Sequence, residues 1–291
     1  MTLTRRRFIA LSAAVALSPQ SAQAESWTGY AFGAEVSLRI RGPKHIARPA
    51  IDEALQAIRD IEALFNLYDP TSALSLLNAR GVLAQPDARF LELMRAADLA
   101  FDLTQGLFDP SVQPLWTARA LGHDPAQAIA LIGWKRAQFE AAQVQLAPGQ
   151  ALTFNGIAQG FATDIVAQVL AAHDLQDVLV NIGEYRAIGG PWKLDLQDPV
   201  QGRLGMRTLH SGAIATSSPL ATPLGAQGHI LHKFAQPQWS TVSVEAPSAT
   251  LADSLSTAMV LATRDEIEAI QAQADITRIT LVDKTGDLTT L

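Results

Sequence analysis

The chain has 291 residues, 48% of them hydrophobic and 17% charged, which is enough for a large core in one big domain or two small ones. It contains no cysteine, so disulfides, thiolate nucleophiles, thiolate zinc sites and a lipidated N-terminal cysteine are excluded. The formal net charge of −6, with no long basic segment, argues against nucleic acid or an anionic membrane surface as a partner.

The N-terminal segment has the pattern of an export signal. Residues 4–9 carry a twin-arginine sequence, residues 8–17 are mostly apolar, and residues 22–24 (Ala-Gln-Ala) form a small-x-small cleavage site. The apolar run is too short to span a bilayer, although an uncleaved membrane anchor remains the alternative. We therefore expect a twin-arginine signal over 1–24, a mature domain over 25–291 and a periplasmic location.

Two periodic patterns mark the N-terminal half of the mature chain. Apolar residues alternate along 27–41, which predicts one strand. From Pro49 onward they recur every three or four positions, which predicts a long amphipathic helix. The proline-containing stretch 109–114 predicts an irregular loop. The other elements expected here are a short helix or turn over 72–78, helices over 90–103 and 125–132, and strands near 144 and over 150–154.

The C-terminal half mixes strands and helices with no internal repeat and no linker. Helices are expected over 157–172, 250–261 and 266–273. Strands are expected over 178–182, 192–196, 205–209, 241–244 and 276–282. Because strands and helices do not alternate strictly, the pattern favours an α+β fold over a doubly wound parallel sheet.

A glycine-containing junction at 155–164 is the strongest functional signal. Gly156 and Gly160 lie where a predicted strand leads into a predicted helix, so the backbone can approach a ligand and the free N–H groups of the first turn face it. This arrangement suits a phosphate, and Asp164, one turn further on, can accept from a ribose hydroxyl or help to hold a metal. The alternative is a turn whose glycines serve packing alone, because short G-x-x-x-G motifs have many structural uses.

A second signal lies in the predicted helix over 250–261. Asp253 and Thr257 are four residues apart and so share one helix face, where a carboxylate and a hydroxyl oxygen suit magnesium. Two structural interpretations compete with this one. Thr250 and Asp253 have the spacing of a capping box, and Thr257 can bond back to a carbonyl one turn earlier.

The remaining candidates are single polar residues near turns. His229 follows a polar loop and is a candidate site residue, whereas His210 and His232 are equally compatible with the surface. Thr216 and Ser217 offer hydroxyls and amides for phosphate oxygens, but they also fit an ordinary polar turn. The sequence has no G-x-S-x-G elbow, Walker loop or dinucleotide-binding fingerprint.

In this order and spacing, the motifs resemble the FAD:protein FMN transferase family (ApbE-type) over nearly all the mature chain. No single motif is specific, but the series in register is. The matching segments are Tyr68-Asp69-Pro70-x-Ser72 with Leu77-Asn78, Gly106–Val112 with Pro114-Leu115-Trp116, Gly156–Asp164, Val180–Gly183, Ala215–Ser217, His229-Ile230, and Ala252-Asp253-x-x-Ser256-Thr257-Ala258.

The resemblance implies a bilobal α+β fold of mixed sheets and helices with FAD in the central cleft. It implies magnesium-dependent transfer of FMN from FAD onto a threonine of an acceptor protein, with release of AMP and membrane contact only through the acceptor. Asp253, Thr257 and a main-chain oxygen near Ala158 would hold Mg²⁺, and His229 and Asp253 would be catalytic. The implied FAD-binding residues are Asn78, Asp109, Gly156, Ala158, Gln159, Gly160, Asp164, Thr216, Ser217 and His229.

Four departures from the family pattern bear on activity. Gln159 stands where the family usually has lysine, and Ala73 where it has glutamate. Residues 183–186 replace a Gly-Gly-Asp pattern, which is similar to the branch linked to nitrous-oxide reductase maturation. Residues 229–236 lack the family's Asp-Pro-x-Thr-Gly turn. Two alternatives therefore stay open, an FAD pyrophosphate hydrolase and an FAD-binding maturation factor with little transferase activity, although the retained Asp253–Thr257 pair favours the transferase.

Overall fold

The computed structural model describes residues 24–222, 224 and 228–291, so all of the predicted signal segment except its last residue lies outside the described residues. The helices are α1 Lys44–Phe65, α2 Ala73–Arg80, α3 Ala88–Leu103, α4 Gln113–Leu121, α5 Pro125–Ala130, α6 Ala158–Ala172, α7 Ala249–Met259 and α8 Arg264–Gln271. The strands are β1 Ala24–Ala31, β2 Ala34–Arg41, β3 Val82–Ala84, β4 Gln138–Phe139, β5 Gln143–Gln145, β6 Val178–Ile182, β7 Tyr185–Ile188, β8 Trp192–Asp198, β9 Gly202–Leu209, β10 Gly212–Ser217, β11 Thr241–Ala246, β12 Arg278–Val282 and β13 Leu288–Thr290.

An antiparallel sheet of eight strands forms the centre of the structure, in the order β1-β2-β6-β7-β10-β11-β12-β13. Alternation sets its register, since Val36 and Ile40 of β2 lie opposite Ile182 and Val178 of β6, and all four side chains are fully buried. Smaller sheets form from β3, β5 and β4, and from the β8–β9 hairpin.

Two central helices, α6 and α7, pack against each other and against the middle strands of the sheet. The first hydrophobic cluster joins α1, α3 and α6 to β2 and β6, and the second joins α7 and α8 to β11 and β12. A smaller cluster packs the β8–β9 hairpin against the alternate residues of β6, β7 and β10. The fold is therefore α+β with two principal cores, as expected. No described helix is long and apolar enough to cross a membrane.

Two predictions near the N-terminal end are wrong in detail. The strand predicted over 27–41 is the β1–β2 hairpin, whose two-residue turn at Phe32 and Gly33 has φ angles of 51° and 74°. Phenylalanine is an unusual residue at such a turn, and Gly33 alone is a weak indication of one. Helix α1 begins at Lys44, so Pro49 lies inside it rather than opening it.

Two further predictions fail around the loop at 109–114. This stretch contains a 3₁₀ turn over Pro110–Val112 and the start of α4, in whose first turn Pro114 is tolerated because those N–H groups need no helical partner. Residues 150–154 form no strand. Their backbone is held instead by single contacts, such as the bond from the Thr153 N–H to the Pro110 carbonyl at 2.8 Å.

Candidate functional site

A cleft of about 210 Å³ opens where the start of α6, the middle of α7 and the ends of β6 and β10 meet. The loop before α4 and the segment around His229 close its other sides. Its apolar lining includes Leu107, Phe108, Val112, Trp116, Ile230, Leu231 and Leu261, and its polar lining includes Asp109, Thr153, Asn155, Gln159, Glu184, Thr216, Ser217, Ser218, Thr222, His229, Asp253 and Thr257.

The structure brings most of the predicted site residues together at this cleft. Eight of them line it: Asp109, Gly156, Gln159, Thr216, Ser217, His229, Asp253 and Thr257. The other four, which are Asn78, Ala158, Gly160 and Asp164, are not among the lining residues. Their surroundings show what they do in the fold.

Asp253 is 3% exposed and projects from α7 toward the start of α6. Its Oδ2 accepts a hydrogen bond from the Gly160 N–H at 2.9 Å. Burial, against the opposing effect of the Gly160 bond and with a further contribution from the charge of Asp164, raises the pKa of this carboxyl from 3.8 to about 7. The capping-box interpretation is wrong, because Ser248 is the N-cap of α7 and its Oγ accepts from the Leu251 N–H at 3.2 Å.

The Thr257 hydroxyl joins a small network beside Asp253. Its Oγ1 lies 3.2 Å from Ser217 Oγ, which in turn lies 2.8 Å from Ser256 Oγ. The described hydrogen bond of Thr257 thus runs to β10 rather than back along α7. A Cβ at Gly156 would lie 2.8 Å from Thr257 Oγ1, so only glycine allows this close approach of the α6 entry loop.

Glu184, which the sequence showed only as a departure from a family pattern, is a further carboxylate of the cleft. It follows β6 and Gly183, its side chain is buried, and Oε2 accepts from the Thr216 N–H at 3.0 Å. Burial raises its pKa well above 4.5, and repulsion from Asp253 adds to the shift. The sequence signal that could have identified Glu184 is a carboxylate directly after a buried strand, since β6 ends at the cleft.

The cleft is lined by acidic side chains. Asp109, Glu184 and Asp253 line it, and its described lining contains no lysine or arginine. The described residues also contain no cluster of three or more histidine, aspartate or glutamate side chains arranged around a metal. Two buried carboxylates with nearby hydroxyls therefore suit a hard cation that keeps several waters, which is the habit of magnesium.

The start of α6 offers less to an anion than its sequence predicted. The Ala158 N–H donates to the Phe154 carbonyl at 2.8 Å, and the Gly160 N–H donates to Asp253. Because these first-turn donors are already satisfied within the protein, the prediction of several free N–H groups is wrong. Gln159 lines the cleft, and its side chain lies against Gly183, where a Cβ would be 2.6 Å from the Gln159 amide carbon.

His229 lines the cleft with a partly buried imidazole. Its Nδ1 lies 2.9 Å from the Pro219 carbonyl oxygen, which can only accept, so this bond places a proton on Nδ1. Burial lowers the pKa below 6.5, although the carbonyls of Pro219 and Thr222 oppose the shift. The ring is therefore neutral at pH 7, and its Nε2 is a proton acceptor.

Asp164 ties the two central helices together. Its carboxylate accepts from the backbone N–H groups of Ala249 and Thr250, both at 2.9 Å, and from the hydroxyls of Ser248 and Thr250, both at 2.7 Å. It also forms an ion pair with Arg186 at 2.7 Å. These contacts stabilise the N-terminal end of α7 and so position Asp253.

Gly160 and Asn78 have structural surroundings. A Cβ at Gly160 would lie 2.3 Å from the Ala249 carbonyl oxygen, so this glycine permits the close crossing of α6 and α7, which favours the packing interpretation. The Asn78 side chain makes two bonds to the backbone of Leu152, donating at 2.8 Å and accepting at 2.7 Å.

Comparisons with known proteins agree with this architecture. The sequence model of the ApbE family matches residues 32–280. The structure is similar to the flavin transferase ApbE from Vibrio cholerae, with a TM-score of 0.77 at 21% identity over 92% of this chain and 97% of the other.

Two further solved structures are also similar. For the ApbE protein from Thermotoga maritima the TM-score is 0.81 at 25% identity, over 92% of this chain and 96% of that one. For the flavinyl transferase ApbE from Pseudomonas stutzeri, in its apo form, it is 0.78 at 23% identity, over 92% and 94%. A search of curated protein sequences gives no match.

Proposed function

Because this chain belongs to the ApbE family, we propose that it is a flavin transferase that moves FMN from FAD onto a threonine hydroxyl of an acceptor protein and releases AMP. The observation that carries the proposal is the convergence of Asp253, Thr257 and His229 on one cleft. These residues supply a cation-binding carboxylate, a neutral hydroxyl and a proton acceptor, which suffice for phosphoryl transfer by positioning and charge neutralisation.

The charge of the cleft supports a requirement for magnesium. A pyrophosphate entering beside Asp253 and Glu184 meets no lysine or arginine in the described lining, and most first-turn N–H groups of α6 are already bonded. The proposed protein ligands are Asp253, Thr257 and a main-chain oxygen near Ala158. When bound, Mg²⁺ neutralises the pyrophosphate and stabilises the negative charge that develops on the leaving AMP.

His229 is the proposed proton acceptor in the transfer step. The acceptor threonine gives its hydroxyl proton to Nε2 of the neutral ring while its Oγ bonds to the phosphorus of the FMN half. The bond from that phosphorus to the bridging oxygen breaks, and the oxygen leaves with AMP. The lowered pKa of His229 keeps the ring in its basic form at neutral pH.

The polar and apolar parts of the cleft divide the remaining roles. Ser217 presents its hydroxyl beside Thr257, and Thr216 lines the same cleft; both residues are proposed to contact phosphate oxygens. Asp109 stands at the opposite wall, where its Oδ1 accepts from the Ser111 N–H at 2.8 Å, and we propose that it lies against the nucleotide. We also propose a periplasmic location from the twin-arginine pattern, and an acceptor linked to nitrous-oxide reductase maturation from residues 183–186.

One incubation separates the transferase from its alternatives. The protein is mixed with FAD, Mg²⁺ and an acceptor domain that another family member flavinylates, with a threonine-to-valine version of that acceptor as control. Covalent flavin fluorescence on the threonine acceptor alone, with equimolar AMP, supports the transferase. Free FMN and AMP with either acceptor would instead show a hydrolase, and unchanged FAD a binding protein.

A further inference from the structure

Glu184 is a buried carboxyl group with no cationic partner among the described residues that line the cleft. Its side chain is 8% exposed, and the Thr216 N–H is a neutral donor. Arg186, two residues further on, forms its ion pair with Asp164 at 2.7 Å. Removing a carboxylate from water costs several kcal/mol unless a counter-charge compensates it, so this position requires a cation when the carboxylate is ionised.

Asp253 lines the same cleft and also has no cationic partner among the described residues of its lining. It is 3% exposed, and its described donor is the Gly160 N–H, another neutral group. Both carboxyl groups line the same cleft, and Glu184 is bonded to Thr216, whose neighbour Ser217 lies 3.2 Å from the Thr257 hydroxyl. When both are ionised, their charges repel each other. A divalent cation bound by both would remove their repulsion and supply each buried charge with its counter-charge.

We infer that Glu184 is a second carboxylate ligand of the cation proposed for Asp253 and Thr257, so that the site takes up a divalent cation before FAD arrives. The inference rests on the cation site of the proposed function. The inference differs from the proposed function in one respect: the protein, rather than the nucleotide pyrophosphate, supplies the second negatively charged ligand of the cation. Two carboxylates with the hydroxyl and the main-chain oxygen hold a divalent cation in the absence of FAD, whereas one carboxylate with the same neutral oxygens binds it weakly.

The substitution Glu184→Gln isolates the charge. A glutamine carbonyl still accepts from the Thr216 N–H, so the contact with β10 and the packing of the side chain are retained. Glu245 offers a matched control, because it is also a buried glutamate, 7% exposed against 8%, and it pairs with Arg207 at 2.6 Å outside the cleft. Glu184→Ala serves as a second variant if the glutamine variant folds poorly.

The experiment is a titration of the full mature chain with Mn²⁺ in the absence of FAD, followed by calorimetry and by the rise in melting temperature. We expect the wild type and Glu245→Gln to bind one ion with equal affinity. We expect Glu184→Gln to bind it at least about tenfold more weakly, with a smaller rise in melting temperature.

The outcomes separate this inference from the proposed function. If Glu184→Gln and Glu184→Ala bind Mn²⁺ as tightly as the wild type while Asp253→Asn does not, Glu184 is no ligand and the cation site of the proposed function stands. If the wild type binds no Mn²⁺ without FAD, the inference also fails. Flavin transfer to the acceptor is measured separately, so its presence or absence decides the proposed function alone.

Discussion

At the residue scale, Asp253 shows how a functional group lowers the stability of the protein that carries it. Its pKa is raised from 3.8 to about 7, so between these values the native state holds a proton that the unfolded chain has released. The contribution of this proton to the free energy of unfolding is therefore fully present below the unfolded pKa and is lost as the pH rises through the folded pKa. Within this window the native state binds one proton more than the unfolded chain. The free energy of unfolding therefore falls by up to about 1.4 kcal/mol for each unit by which the pH rises.

We predict that Asp253→Asn flattens this dependence in the metal-free protein. Asparagine keeps an acceptor for the Gly160 N–H but does not titrate, so the variant should gain stability relative to the wild type between about pH 5 and pH 7.5. Urea denaturation in EDTA at both pH values measures the difference. Equal pH dependence of the two proteins would show that Asp253 is not the titrating group.

His229 provides a second prediction at this scale. Because burial lowers its pKa below 6.5, the proposed base loses activity only at acidic pH, so the acid limb of kcat/KM should lie below pH 6.5. His229→Gln should remove that limb and reduce transfer by roughly 10²- to 10⁴-fold. His232→Gln, a change of a histidine outside the cleft lining, is the control and should keep the wild-type profile. An unchanged limb in His229→Gln would assign the base to another group.

Sequence reasoning found most of these residues but not their surroundings. The spacing of Asp253 and Thr257 placed them on one helix face, and both line the cleft. It could not reveal that Glu184 and Asp253 line the same cleft, since that depends on how α7 packs against the central sheet. The N-terminal end of α7 was misassigned for a similar reason. Asp164, which accepts from its first backbone N–H groups, comes from a different helix, α6.

At the scale of elements, the crossing of α6 and α7 sets the geometry of the site. A Cβ at Gly160 would lie 2.3 Å from the Ala249 carbonyl oxygen and 2.8 Å from Asp253 Cβ. Backbone of one helix thus touches backbone of the other at the point where the Gly160 N–H orients the carboxylate. Gly160 therefore serves both the packing of the two helices and the orientation of the Asp253 carboxylate.

We predict that Gly160→Ala destabilises the protein by about 1–3 kcal/mol, because the added methyl group must push the helices apart. The displaced Asp253 should also bind Mn²⁺ less tightly. The control is Gly42→Ala, whose Cβ would meet only the ends of two side chains, Leu175 at 3.1 Å and Ile40 at 3.7 Å. Denaturant unfolding and Mn²⁺ titration of both variants test this, and a Gly160→Ala protein as stable as Gly42→Ala would contradict the crossing geometry.

The elements differ in how well sequence predicts them, for physical reasons. The long helices α1, α3 and α6 were predicted approximately because their buried stripes repeat at helical spacing. The β1–β2 turn was missed because Phe32 adopts a positive φ that its residue type disfavours. Residues 150–154 have strand-like composition, but the Asn78 side chain bonds the backbone of Leu152 and the Pro110 carbonyl accepts from Thr153, so no strand partner is needed.

At the scale of the whole molecule, the proposed export can be tested directly. Cleavage after Ala24 would leave Glu25 at the start of β1, paired opposite Ile40 and within 3.5 Å of Lys44, so the hairpin would stay intact. We predict a mature protein beginning at Glu25, and loss of export when Arg5 and Arg6 are both changed to lysine. Mass spectrometry of periplasmic extracts measures both, and a periplasmic protein that retains its first 24 residues would contradict the prediction.

In the proposed function, Asp253 and Thr257 hold a divalent cation that flavin transfer requires. Asp253→Asn removes the ligand charge, so transfer should fall by orders of magnitude while the fold remains. Thr257→Val keeps the shape and removes only a neutral oxygen, so added magnesium should restore much of its activity.

The most direct measurement is therefore flavinylation of the acceptor threonine as a function of magnesium concentration for wild type, Asp253→Asn and Thr257→Val, with melting curves of each. We predict saturation at low magnesium for the wild type, a curve shifted to higher magnesium for Thr257→Val, and almost no transfer at any concentration for Asp253→Asn. An Asp253→Asn curve that overlays the wild type would contradict the cation site and leave flavin binding without this chemistry.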